Sequence, residues 1–179
     1  MKTLFSALTA LAFVGLSACA PSASDVAKAL KPITPPTQPA DNKLIEKIKP
    51  QDIRVHVANE EYKMGVGYAA IYKYQDGAVR YNIDLSKGSV VNCQKGFDFD
   101  SGGMVNLNFP MNKDVVSGFD FTVQLSGFND LATKYVVGDK IVKIEKADSQ
   151  EIIGSVYAHD ENGAEINGKF KAQICTSDL

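Results

Sequence analysis

From Asp52 to Cys175 the chain repeats one pattern, an apolar side chain at every second position, interrupted at short intervals by Gly, Asp, Asn and Ser. Successive side chains of a strand point to opposite faces, so a two-residue period marks a sheet with one face in a core. Val79, Tyr81, Ile83 and Leu85 alternate with Arg80, Asn82 and Asp84, and Val105, Leu107 and Phe109 alternate with Asn106 and Asn108. Phe119, Phe121, Val123 and Leu125 form the clearest core row and are expected on a central strand. In the last segment Ile166, Phe170, Ala172 and Ile174 oppose Glu165, Lys169, Lys171 and Gln173, which leaves Cys175 on the polar side by parity. The fold class this pattern predicts is all-β: a single antiparallel β-barrel or β-sandwich over residues 51–179, with one short helix or helical loop.

Turn residues divide the region. Gln75-Asp76-Gly77 reads as a hairpin through its Asp-Gly pair, and Asp160 to Gly163 separates the strands Ile152 to His159 and Ala164 to Cys175. Further strands are expected at Ile53 to Val57, Phe97 to Asp100, Met104 to Phe109 and Lys140 to Lys146, with Pro110 to Asp114 as a loop. Between Ser126 and Val137 the period loosens, and Phe128, Leu131 and Tyr135 fit a short helix capped by Asn129 or Asp130. The most informative strand is Glu61 to Tyr74, where Tyr62, Met64, Val66, Tyr68, Ala70, Tyr72 and Tyr74 share one face and Gly65 and Gly67 lie opposite. Glycines inside a long strand weaken it unless the strand bends or another chain approaches closely, so a strongly curved sheet is expected there. The tyrosine row Tyr62, Tyr68, Tyr72 and Tyr74 then either fills core and rim or, if exposed, forms the candidate binding face.

The N-terminal segments read differently. Lys2 precedes an apolar run from Leu4 to Leu16, the build of a secretory signal and too short for the roughly 20 apolar residues of a bilayer span. The run closes on Leu16-Ser17-Ala18-Cys19, which resembles the lipobox of bacterial lipoproteins. That resemblance implies a signal peptide at residues 1–18, lipidation of Cys19 and a mature chain beginning there. Because Ala20, not Asp, follows the cysteine, it also implies the outer membrane as the destination. Six of the seven prolines then fall between Cys19 and Gln51, so residues 19–50 are expected to be a Pro-rich tether. Leu44, Ile45 and Ile48 allow a short helix that either frays or packs on the domain and fixes its entry.

With Cys19 lipidated, Cys93 and Cys175 remain as an even pair in an exported protein, pointing to a disulfide across 82 residues, with two separate thiols as the alternative. Such a bridge is worth about 4.5 kcal/mol in the chain-entropy account. A net charge of −2 with balanced acids and bases gives no footprint for nucleic acid. His56 and His159 stand alone, no nucleophile motif surrounds any serine, and no cofactor fingerprint is present. Asp98, Asp100 and Ser101 lack the further acidic ligands of a calcium loop, so no metal is expected. The functional expectation is a non-catalytic envelope lipoprotein, a membrane-tethered β domain acting as a protein-binding or accessory module of the envelope. The alternative is a small-barrel carrier of an apolar ligand, with Tyr62 to Tyr74 and Phe119 to Leu125 lining its cavity. An envelope hydrolase is the remaining reading.

Overall fold

The computed structural model describes residues 39–65, 67–87, 93, 103–128 and 133–175. The signal segment, Cys19, most of the tether, the acidic residues Asp98 and Asp100, and the helix positions Asn129 to Leu131 lie outside the described residues. Within them one short helix, α1 (Pro39–Ile45), precedes an all-β region in which every strand belongs to one sheet, curled into a half-barrel.

The strands are β1 (Arg54–Val57), β2 (Glu60–Lys63), β3 (Gly67–Lys73), β4 (Val79–Ser86), β5 (Met104–Pro110) and β6 (Val115–Ser117). They continue with β7 (Thr122–Ser126), β8 (Lys134–Tyr135), β9 (Gly138–Ala147), β10 (Glu151–Asp160) and β11 (Glu165–Ile174). Their order is β6-β9-β10-β11-β3-β4-β5-β7-β8, with the β1–β2 hairpin attached to β11. Pairing is antiparallel throughout except between β3 and β11, which run parallel.

Local chemistry explains the turns. At the β3–β4 hairpin Gly77 takes φ +82°, which glycine adopts without a Cβ penalty, while Asp76 Oδ1 accepts the Ala78 N–H. At the β10–β11 turn Asp160 Oδ1 accepts the N–H groups of Asn162 and Ala164, and between β9 and β10 Asp148 does the same for Gln150 and Glu151.

The core lies inside the curl. Val55, Ile83, Leu85, Val105, Leu107, Phe109, Phe121, Val123, Leu125, Val142, Ile152, Val156 and Ile166 are all fully buried in it. Phe109 packs against Tyr81 at 5.6 Å and against Phe121 at 5.9 Å between ring centroids. Cys175 sits just past the end of β11 with its N–H on the Ala69 carbonyl, and Cys93 bridges to it with Cα atoms 5.2 Å apart, ordinary disulfide spacing.

Four expectations need correction. First, Glu61 to Tyr74 is not one strand. β2 hangs on β1 and continues to Met64, whose N–H reaches the Ile53 carbonyl. Gly65 then donates to Ser86, and at Gly67 the chain takes up a place beside β11. The exchange of partners inserts one residue, so the inward positions change from even (Tyr62, Met64) to odd (Gly67, Ala69), and such a slip moves every later side chain to the other face. A Cβ on Gly67 would meet Leu85 Cδ2 and stand 3.0 Å from the Asp84 carbonyl, so the close approach expected of that glycine is present.

Second, Phe119 is outside the core row. Gly118, at φ +62°, starts a 3-10 turn over Gly118–Asp120 that breaks the alternation and leaves Phe119 fully exposed. The strand that follows, β7, lies next to the sheet's end and is not central. Third, Tyr135 belongs to β8, not to a helix, and Phe128 is buried against Tyr62 at 5.1 Å. Fourth, β6 is an additional strand immediately after the expected loop, paired with β9.

Candidate functional site

The sheet's outer face divides into two halves. Over β9, β10 and β11 several residues that point away from the core are nonetheless buried: Ile141 is fully buried, Tyr157 is 9% exposed and Asn167 only 3%, whereas His159, Lys169, Lys171 and Gln173 on the same face are exposed. Chain from the tether end covers the buried ones. α1 packs on β9, with Leu44, Ile45 and Ile48 half-buried, and Ser117 Oγ donates to Asp41. Lys47 Nζ lies 5.2 Å from the Tyr157 ring centroid and 2.8 Å from Asp139.

Asn167 is the clasp. Its Oδ1 accepts the Lys49 N–H at 2.8 Å, and its Nδ2 donates to the Lys47 carbonyl and to Glu165 Oε1, both at 3.1 Å. An asparagine side chain carries the same donor and acceptor as a peptide unit, so here it extends the hydrogen bonding of β11 sideways onto an irregular segment. The second reading of the Leu44, Ile45 and Ile48 stripe, packing on the domain, is therefore the one the structure adopts.

No chain among the described residues covers the other half. Across β3, β4, β5, β7 and β8 the outward positions form rows in register. One row runs Tyr68, Asp84, Asn106, Gln124, Tyr135 and the next Ala70, Asn82, Asn108, Thr122. Tyr72 and Arg80 begin a third. Asn106 Nδ2 donates to Asn82 at 2.9 Å and to Asp84 at 2.6 Å, while Asn108 Nδ2 reaches the Tyr74 hydroxyl at 3.4 Å. Arg80 is engaged within the fold, by Asn108 and by the Asp120 carbonyl at 2.6 Å. Burial raises the Asp84 carboxyl above its ordinary pKa, opposed by donation from Asn106, and burial also raises the Tyr68 hydroxyl, assisted by Tyr72 and Asp84.

Tyr72, Lys73, Tyr74 and Asn82 line a groove of about 310 Å³ on this half. Five large apolar side chains are exposed among the described residues, and two of them, Tyr72 and Tyr74, line this groove. Tyr72 and Tyr74 stand on the β3 side, Tyr135 on β8 with Val137 just beyond, and Phe119 beside Asp120, which holds Arg80.

The candidate binding face expected from the tyrosine row is thus divided. Tyr68, Tyr72 and Tyr74 are outward, but Tyr62 is 7% exposed, with Phe128 against its ring and Lys87 Nζ 4.0 Å from its centroid. Nor do that row and Phe119 to Leu125 line one cavity, because Tyr72, Tyr74 and Phe119 are exposed while Phe121 packs on Phe109. His56 and His159 both stand opposite Glu165 across β11, whose carboxylate is engaged by Lys49 and Asn167. Among the described residues no three His, Cys, Asp or Glu side chains group to hold a metal ion.

Sequence periodicity did not single out Asn82, Asn106 and Asn108 as a site, or Asn167 as a clasp. The available signal was that the outward phase of β4 and β5 carries short amides where a solvated sheet face usually carries Lys, Glu and Thr. Compared with known proteins, the chain matches no family model, no curated protein and no solved structure. Its class is therefore stated by its architecture: an all-β half-barrel whose outer face is, among the described residues, covered in part by residues 41–49.

Proposed function

We propose that this chain is a non-catalytic binding or accessory module of a bacterial cell envelope, held at the outer membrane by lipid on Cys19 and working through the open half of its outer face. The lipobox-like Leu16-Ser17-Ala18-Cys19, the residue Ala20 after it and the proline-rich stretch support the anchoring. The observation that carries the binding role is the division of the outer face. Residues 41–49 cover part of the β9–β11 half, while Tyr72, Tyr74 and Tyr135 stand exposed on the strands of the other. Burying these aromatic side chains against a partner is favourable. A carrier role draws less support, since the residues expected to line its cavity pack against one another or face outward.

The test is made in cells. Cys19→Ala is expected to shift the protein from the membrane fraction to the soluble fraction and to abolish incorporation of labelled palmitate. A photo-crosslinking residue at Tyr72 or Tyr135 is expected to capture an envelope component, and one at Glu161, in the β10–β11 turn, to capture none. Retention of the Cys19→Ala protein in the membrane, or equal capture at all three positions, refutes the proposal.

A further inference from the structure

The open face has an unusual distribution of chemistry. Its centre is polar and its margins are aromatic. Protein-binding surfaces are arranged the other way, with an apolar or aromatic core inside a polar rim. The central side chains Asn82, Asn106 and Asn108 are neutral amides, and each both donates and accepts hydrogen bonds. Of the charged groups here among the described residues, Lys73 is the one cation lining the groove, Arg80 is engaged by Asn108 and the Asp120 carbonyl, and Asp84 accepts from Asn106. No cluster of free cations suited to phosphate or to an acidic polymer is present on this face among the described residues, and such a ligand needs one.

We propose, on the basis of the binding face assigned above, that its occupant is a neutral polysaccharide chain of the envelope, laid across the strands. Sugar rings would stack on Tyr72, Tyr74 and Tyr135, and their hydroxyl or acetamido groups would bond to Asn82, Asn106 and Asn108. A sugar hydroxyl, like an amide, donates and accepts at once, so it can use the Asn82 amide group and the second lone pair of the Asn106 and Asn108 carbonyls, whose other sites bond within the row. The C–H face of a sugar ring is apolar and its edge polar, which matches a tyrosine that offers a ring face and a hydroxyl. Tyr72, Tyr74 and Tyr135 are 50%, 47% and 57% exposed, so their rings are accessible.

Geometry agrees with an extended ligand. Neighbouring strands lie about 4.8 Å apart, so the four steps from β3 to β8 span about 19 Å, enough for several sugar rings in line. The amides are also held before any ligand arrives. Asn106 is fixed by Asn82 and Asp84, and Asn108 contacts the Tyr74 hydroxyl and Asn82 Oδ1. Side chains already ordered lose less freedom on binding.

The experiment is a titration of the intact, isotopically labelled chain, in micelles of a detergent without a sugar headgroup, with chitohexaose and separately with cellohexaose. Saturable backbone amide shifts are expected on β3, β4, β5 and β7, and none on the half covered by α1. Tyr72→Ala and Tyr135→Ala are each expected to weaken binding roughly tenfold, while Tyr72→Phe, which keeps the ring, stays within about twofold of the parent. Absence of saturable shifts with either oligosaccharide, shifts confined to the covered half, or unchanged affinity in both alanine variants overturns the proposal. If the titrations fail while crosslinking at Tyr72 still captures a protein, the glycan assignment falls and the binding module stands. If both fail, the function assigned to the face falls with it.

Discussion

Replacing Asn167 by Ala tests whether the N-terminal segment is held by the fold or merely lies on it. The side chain is 3% exposed and makes two bonds to the backbone of that segment, at the Lys49 N–H and the Lys47 carbonyl. A typical hydrogen bond contributes about 1 kcal/mol net, so losing two costs about 2 kcal/mol, and more if water cannot reach the freed groups. The exposed ion pairs beside it, Lys47–Asp139 and Lys49–Glu165, are screened by solvent and do not substitute for the clasp. The cost should appear as local opening of residues 41–49, with the β core still folded. Hydrogen exchange at the Glu46 and Ile48 amides, which close the helical turns onto Asn42 and Ile45, is the direct measure. Protection there should fall about 30-fold in Asn167→Ala, at about 1.4 kcal/mol per factor of ten. Protection within about twofold of the parent at those amides, or an equal loss in the core strands, would refute the clasp argument.

Other consequences follow from the same packing. Gly67→Ala should destabilise the fold by about 1–3 kcal/mol in denaturant unfolding, because the added methyl meets Leu85 and the Asp84 carbonyl where β3 joins β11; an unchanged midpoint would show that the junction is loose. Tyr81 is 2% exposed, its hydroxyl has no hydrogen-bond partner among the described residues, and burial pushes its pKa up to about 12. Tyr81→Phe is accordingly expected to leave stability unchanged or raise it by up to about 1 kcal/mol, and a loss above that range in thermal unfolding would reveal a partner for the hydroxyl. Backbone donation from Gln150, with Lys146 and the Glu151 N–H, lowers the Asp148 carboxyl to about 2 from an ordinary 3.8. Its contribution is complete above the unfolded value and is lost as pH falls from about 3.8 toward 2, so Asp148→Ala should flatten the acid limb of the stability curve in that window. Asp84 has the opposite sign: burial raises its pKa, so ionisation costs stability as pH rises past 3.8, and Asp84→Asn should be stabilising at neutral pH and neutral in acid. Equal effects at both pH values would exclude burial as the cause.

Much of the fold was legible because the two-residue period records which face of a strand meets the core. The inward rows of β4, β5 and β11, the Asp76-Gly77 hairpin and the turn at Asp160 to Gly163 all follow from side-chain alternation and from residues that permit left-handed backbone. The period fails where a strand changes partners. Nothing local marks the extra residue between Met64 and Gly67 that turns Tyr68, Tyr72 and Tyr74 outward while Tyr62 stays in the core. The turn at Gly118 likewise starts the inward row at Phe121, two residues later than the Phe119 the pattern suggests.

The candidate site lay further from view. Asn82, Asn106 and Asn108 are neighbours only because β4 pairs with β5 in one register, and Tyr135 joins them only because β8 pairs with β7. The sequence by itself determined an all-β domain, its turns, most of its inward residues and the lipobox-like motif ending at Cys19, since each depends on contacts within a few residues of chain. Only the tertiary structure decided the parallel seating of β3 on β11, the Cys93–Cys175 closure, the clasp at Asn167 and which part of the outer face residues 41–49 cover. Those depend on strand order, and strand order is set by packing between residues far apart in the chain, which no local period records.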